Sequence, residues 1–95
     1  LRTICTATDK RQSAAIKLSK EVDMMIVVGG RNSANTTRLA QLCTEHCVTH
    51  HIETVDELHD DWFNNIKKIG ITAGASTPDW IIKEVYEKCK TWQAY

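Results

Sequence analysis

The sequence predicts a small α/β domain: a parallel sheet of about three strands, covered by helices on both faces. Three observations carry that prediction. "MMIVV" (24–28) is a short unbroken apolar run, the pattern of a strand buried on both sides of a sheet. Such runs alternate along the chain with segments of helical period, and that alternation implies crossover connections and a parallel sheet. Helix-start chemistry also follows directly on each main strand end, as expected where strands feed helices. At 95 residues the chain allows one domain, 1–95, with one modest core.

Taken in order, residues 9–21 ("DKRQSAAIKLSKE") read as a first helix. Asp9 with Gln12 is a weak capping box, and Ala15, Leu18 and Val22 recur at helical spacing. The strand 24–28 follows and is stopped by Gly29-Gly30. Residues 35–47 return to helix, with Leu39, Leu42, Cys43 and Cys47 on one face. "VTHHI" (48–52) is the next strand. Thr54-x-x-Glu57 then forms a capping box that opens a third helix, whose buried stripe is Val55, Leu58, Trp62 and Ile66. "KIGIT" (68–72) is the last strand. Thr77-Pro78-Asp79 supplies an N-cap, a proline at the first helical position and an acid in the first turn. In this fourth helix Ile81 or Ile82, Val85, Tyr86 and Cys89 face inward.

Twelve basic and twelve acidic residues balance, so no global field recruits nucleic acid or an anionic membrane. No apolar run reaches the roughly 20 residues that cross a bilayer, and no charged-then-apolar leader opens the chain. The expectation is a soluble protein. An opening of "LRTIC", without Met, points to a processed chain or a fragment of a longer one. The four cysteines (Cys5, Cys43, Cys47, Cys89) are not spaced as in a loop-rich disulfide scaffold, and 42% hydrophobic content can build a core unaided. A reducing compartment is expected.

In open parallel sheets, ligands bind beyond the carboxyl ends of the strands. Three segments there are made of small residues and hydroxyls: "ICTAT" before the first helix, "GGRNSAN" before the second and "TAGAST" before the fourth. A helix N-terminus offers unpaired N–H groups and a positive dipole end. Glycine allows close backbone approach, and Ser, Thr and Asn add donors without bulk. Each loop alone is equally an ordinary turn with an N-cap. Together they describe a pocket for phosphate or diphosphate, with the capping reading still open beside it.

Cys5 stands just ahead of a helix start, where thiolate character is favoured, but a small buried hydrophobe is as good a reading. "CTEHCVTHH" (43–51) brings Cys43, Cys47, His46, His50 and His51 together in sequence. Burial on the helix stripe explains the cysteines, and zinc modules separate their ligand pairs by a longer loop. Trp62, Trp80 and Trp92 are too scattered to form a base-stacking platform.

"TICTATDKRQSAAIKLSKEVDMMIVVGGRNSANTTRLA" together with "GITAGASTPDWII" resembles the C-terminal third of the LytB/IspH family, the 4-hydroxy-3-methylbut-2-enyl diphosphate reductases. The likeness runs from about Thr3 to Cys89. Its anchors are the T-I-C-x-A-T, V-V-G-G-[RK]-N-S-x-N-[TS] and T-A-G-A-S-x-P-D loops, in that order. The resemblance implies an oxidoreductase of the non-mevalonate isoprenoid pathway, which reductively removes the hydroxyl of an allylic diphosphate to give isopentenyl and dimethylallyl diphosphates. It implies three similar α/β domains around a central iron–sulfur cluster of 4Fe-4S type, with Cys5 as one cluster ligand. It implies that Ser33, Asn35 and Ser76 hold the substrate diphosphate, and that no catalytic residue lies within this chain. Ala34 replaces a second serine found in some members, so only its backbone N–H can serve there. The implied partners are the allylic diphosphate, ferredoxin or flavodoxin as electron donor, and the N-terminal domains of the same chain. The implied location is the bacterial cytoplasm or, in a eukaryote, a plastid. His46, His50, His51 and His59 do not match the family's catalytic positions. Two other readings stand beside this one: a flavodoxin-like phosphate- or nucleotide-binding module without a cluster, and an interaction domain using exposed tryptophans.

Overall fold

The computed structural model describes residues 3–6, 12–64, 66–74 and 77–93. Its sheet has four parallel strands: β1 (Thr3–Thr6), β2 (Met24–Val28), β3 (Val48–Ile52) and β4 (Lys68–Ala73), in the spatial order β1-β4-β2-β3. Parallel pairing and the helix-covered faces agree with the sequence prediction. The strand number does not. Thr3–Thr6, expected to be part of a loop, is an edge strand whose Ile4 pairs with Ile69 and whose Cys5 pairs with Gly70. At four residues, with one aliphatic side chain, it has no apolar run to betray it.

Helices α1 (Gln12–Ser19), α2 (Ala34–Thr44) and α3 (Asp79–Gln93) complete the fold with two short 3-10 turns, Val55–Glu57 and Asp60–Phe63. Successive side chains of a strand point to opposite faces, and β2 is buried along its whole length. Met25 and Val27 pack with Ala15, Val22, Leu39 and Cys43 beneath α1 and α2. Met24, Ile26 and Val28 pack on the other face with Ile69, Ile71, Phe63, Val85 and Cys89, beneath α3 and the 3-10 turns. Each such aliphatic side chain, fully withdrawn from water, contributes about 1.5–3 kcal/mol. The inward residues expected for α3 are those observed. Val85 and Cys89 are buried, and Ile81, Ile82 and Tyr86 pack partly buried against the same core.

Three helix expectations need correction. The described part of α1 begins at Gln12, and residues 9–11 lie outside the described residues; its C-terminal end falls at Ser19, so Val22 reaches the core from the bend before β2. Helix α2 covers Ala34–Thr44, with Cys47 beyond its end. The third helix is absent as such. Leu58 and His59 are extended between the two 3-10 turns, with ψ of 141° and 132°. The break falls on the path from the β3 edge back over β2 into β4. The extended break also lets both Leu58 and Phe63 enter the core, whereas the expected stripe left Phe63 out.

Candidate anion-binding edge

Strand order decides what stands at the carboxyl end of the sheet. Strand β4 lies between β1 and β2. Its chain continues to α3 on one face, while those of β1 and β2 continue to α1 and α2 on the other. The end of β4 is therefore a point where connections diverge on both sides, which is where open α/β sheets form a ligand crevice. The three unusual loops identified in the sequence leave these three neighbouring strand ends.

The loop after β2 is closely held. Gly29 N–H donates to Ile52 O (2.9 Å), and Gly29 O lies 2.9 Å from His51 Nε2. Ser33 N–H donates to Gly30 O (3.0 Å), closing a turn. Gly29 has φ of +157°, and a Cβ there would lie 2.7 Å from both Cγ2 and Oγ1 of the buried Thr36. Thr36 also occupies the space a Cβ on Gly74 would need, so the first turn of α2 wedges between the β2 and β4 loops. Thr77 fastens the second loop to the first. Its hydroxyl donates to Val28 O (3.0 Å) and its N–H to Gly74 O (3.0 Å), while Gly74 N–H donates to Val28 O (3.0 Å).

Ser33 is the N-cap of α2, in extended conformation at φ −82° and ψ 113°. Its Oγ accepts from Thr36 N–H (3.3 Å) and from Thr36 Oγ1–H (3.2 Å). A hydroxyl that accepts twice still has its own proton to donate. Ala34 and Asn35 follow as the exposed first two residues of α2, where backbone N–H groups have no intrahelical partner. These donors, at the positive end of the helix dipole, can receive an anion. Ser76 lies outside the described residues. The capping and anion-binding readings of the loop are thus both built into Ser33.

Arg31, in the same loop, does not stand free. Its Nη1 donates to Glu53 Oε1 (2.8 Å), its backbone N–H to Glu53 Oε2 (3.2 Å), and its Nη2 to Glu57 Oε1. Glu57 Oε2 in turn accepts from the N–H groups of Glu53 (2.8 Å) and Thr54 (3.3 Å), the latter being the Glu half of the expected capping box. The hydrogen bond from Arg31 holds the Glu57 carboxyl below its usual range, and the same bond pushes the Arg31 guanidinium up. Sequence reasoning assigned no role to Arg31, Glu53 or His51. Only Glu57 carried a signal, and it was the cap.

Cys5, the penultimate residue of β1, is half-buried and free. Its pairing with Gly70 sets it on the α1 and α2 face, and Thr72 follows on that same face of β4, two residues nearer the carboxyl edge. Among the described residues, the Thr72 hydroxyl is the buried side-chain polar atom with no hydrogen-bond partner. No group of three or more His, Cys, Asp or Glu able to hold a metal ion occurs among the described residues. Among the described residues Cys5 is the one thiol at the carboxyl ends of β1, β2 and β4, and a lone thiol fits at most a single ligand position. The other cysteines are free and tied to packing. Burial pushes the Cys43 thiol up to about 11 and the Cys89 thiol up to about 12. Cys47 is half-buried beside Cys43, and its thiol is likewise raised by burial. His46 is exposed, whereas His50 stacks on Trp62 at 3.9 Å between ring centroids, and burial lowers its pKa. Trp80 is 64% exposed, and the Trp92 side chain lies outside the described ones. No helix among the described residues is long and apolar enough to cross a membrane.

Fold and edge together define a parallel α/β domain with glycine-cleared, hydroxyl-rich loops at its strand switch point. The model of the family described as LytB protein matches residues 1–90, and the chain belongs to that family. It is 58% identical over 87 residues to the 4-hydroxy-3-methylbut-2-enyl diphosphate reductase of Syntrophotalea carbinolica, covering 90% of this chain and 31% of the relative. It is 54% identical over 86 residues to the reductase of that name from Aquifex aeolicus, covering 90% of this chain and 30% of the relative. A solved structure of (E)-4-hydroxy-3-methyl-but-2-enyl diphosphate reductase, described as the terminal enzyme of the non-mevalonate pathway, superposes with a TM-score of 0.83 at 50% identity, over 85% of this chain and 29% of that one. The reductase from Plasmodium falciparum superposes with a TM-score of 0.79 at 30% identity, over 86% of this chain and 26% of that one. The chain thus spans less than a third of the length of these relatives.

Proposed function

We propose that this chain is one of three similar α/β domains of a 4-hydroxy-3-methylbut-2-enyl diphosphate reductase, supplying one cluster cysteine and part of the diphosphate site. The observation that carries this reading is the adjacency of the β1, β4 and β2 ends, with Ser33 and the N-terminus of α2 following β2. Ser33 donates its hydroxyl proton to a diphosphate oxygen while its Oγ goes on capping α2. The N–H groups of Ala34 and Asn35, with the Asn35 amide, add neutral donors, and Ser76 adds another from the β4 loop. Because Ala34 has no hydroxyl, its contribution is the backbone N–H alone. Cys5 gives one thiolate to a 4Fe-4S cluster whose other ligands come from the remaining domains. When bound, that cluster supplies single electrons, received from ferredoxin or flavodoxin, for removal of the allylic hydroxyl.

The test is Cys5→Ser in the full-length reductase, purified without oxygen. The substitution is expected to lower iron content and visible absorbance together with turnover. Full iron and full activity would remove Cys5 from the ligand set. The isolated 95-residue chain, reconstituted with iron and sulfide, is expected to hold no stable cluster and to show no turnover.

A further inference from the structure

An arginine beside an anion site invites the role of counter-charge, and Arg31 is two residues from Ser33. Its surroundings argue otherwise. Two carboxylates face one guanidinium, so the group carries net negative charge on the flank of a site meant for an anion. Arg31 is 54% exposed, and both ends of its guanidinium are committed to Glu53 and Glu57. What the group fastens is backbone. Glu53 holds the Arg31 N–H, Glu57 holds the N–H groups of Glu53 and Thr54, and His51 reaches Gly29 O. The β2 loop is thereby tied at successive points to the end of β3.

We propose that Arg31 is a positioning residue, which acts through Glu53 and Glu57 to hold the Gly29–Asn35 loop in its anion-receiving shape and does not pair with the diphosphate. The inference rests on the diphosphate reading of this loop. It also extends it, since the Gly29–Asn35 loop then offers the diphosphate neutral donors.

Charge and geometry predict opposite signs for one variant, which gives the test. In the full-length reductase, Glu53→Gln with Glu57→Gln removes two negative charges near the anion and releases Arg31. If Arg31 were a counter-charge, KM for the diphosphate substrate would fall. The latch predicts that KM rises about fivefold with kcat within about twofold, a modest effect in keeping with exposed ion pairs. Arg31→Ala should match it, and the triple variant should be no worse than either, because interactions within one network do not add. Arg31→Lys, which keeps the charge but cannot clasp both carboxylates, should fall between. A second readout needs no ligand. Amide hydrogen exchange at Ser33 and Thr36 is expected to be about tenfold faster in the Arg31→Ala and double-Gln variants. A fall in KM for the double-Gln variant, or unchanged exchange at both amides, overturns the proposal. A wild-type enzyme that ignores the diphosphate would sink the functional reading, while the exchange data would still decide the latch.

Discussion

Gly29→Ala is the most direct probe of how the β2 loop is built. The added Cβ would lie 2.7 Å from Thr36 Cγ2 and from Thr36 Oγ1, and 3.1 Å from Thr77 Oγ1. None of these atoms can swing aside. Thr36 is fully buried, branched at Cβ and hydrogen-bonded to Ser33, and Thr77 Oγ1 is bonded to Val28 O. Overpacking of this kind costs about 1–3 kcal/mol. A φ of +157° adds strain that glycine does not feel, about 1–3 kcal/mol more. The sum of about 2–6 kcal/mol is comparable to the whole stability of a small domain, roughly 5–15 kcal/mol. The assay is urea denaturation of the 95-residue chain, followed by circular dichroism. Thr36→Ala should recover the packing share in the double variant, giving a coupling of about 1–3 kcal/mol, while the backbone strain remains. A Gly29→Ala protein within about 0.5 kcal/mol of wild type, the range of an ordinary surface change, would refute the argument.

Other expectations follow from the buried polar atoms. Thr72→Val removes a hydroxyl that is buried without a partner, so it should be neutral or stabilising by about 1–2 kcal/mol in thermal melts of this chain. A loss of that size would mean that the hydroxyl has a partner. The thiols of Cys43 and Cys89 have folded-state pKa values of about 11 and about 12 against an ordinary 9. Above the unfolded value the unfolded chain releases these protons first, so stability should be intact below about pH 9 and fall as pH rises toward 11–12. Denaturant titrations at stepped alkaline pH check the sign, and Cys89→Ala should flatten the loss. Ile71→Ala, at a fully buried position in β4, should cost about 2–5 kcal/mol in the same titration.

What the sequence disclosed divides along physical lines. The central strand 24–28 and strand 48–52 were placed residue for residue. The central strand, buried on both faces, needs an unbroken apolar run, and Gly29 and Gly30 mark its end. Helix α3 was legible because Ile81, Ile82, Val85, Tyr86 and Cys89 recur at helical spacing toward the core. Strand β1 was not, since an edge strand of four residues asks little of its composition. The 3-10 segment misled for a different reason. Thr54 and Glu57 signal a helix start truthfully, but the spacing of Val55, Leu58, Trp62 and Ile66 fits an α-helix that is broken at the extended Leu58 and His59, where Phe63 is brought into the core as well. Loop composition marked the carboxyl edge of the sheet as the candidate site. The neutralisation of Arg31 was invisible, because it depends on carboxylates brought alongside only when β3 pairs with β2.

Ser33 shows why composition alone left capping and anion binding undecided: one hydroxyl has an acceptor for the first and a proton for the second. As an acceptor it caps α2 through Thr36, and its own proton is left to donate. A substitution that keeps the first role and reverses the second separates them. Ser33→Asp retains a good N-cap acceptor and places negative charge where the helix dipole favours it, so stability should stay within about 0.5 kcal/mol of wild type. The same carboxylate stands where a diphosphate oxygen would accept a proton, and it offers charge repulsion in place of a donor. Ser33→Ala does the opposite, costing about 1 kcal/mol of stability through the lost cap while leaving the anion no repulsion to overcome. Inorganic diphosphate titrated into the full-length reductase should therefore bind Ser33→Ala more weakly than wild type and Ser33→Asp hardly at all, whereas the melting temperatures of wild type and Ser33→Asp should stand together above that of Ser33→Ala. Equal diphosphate binding by wild type and Ser33→Asp would reduce Ser33 to a helix cap.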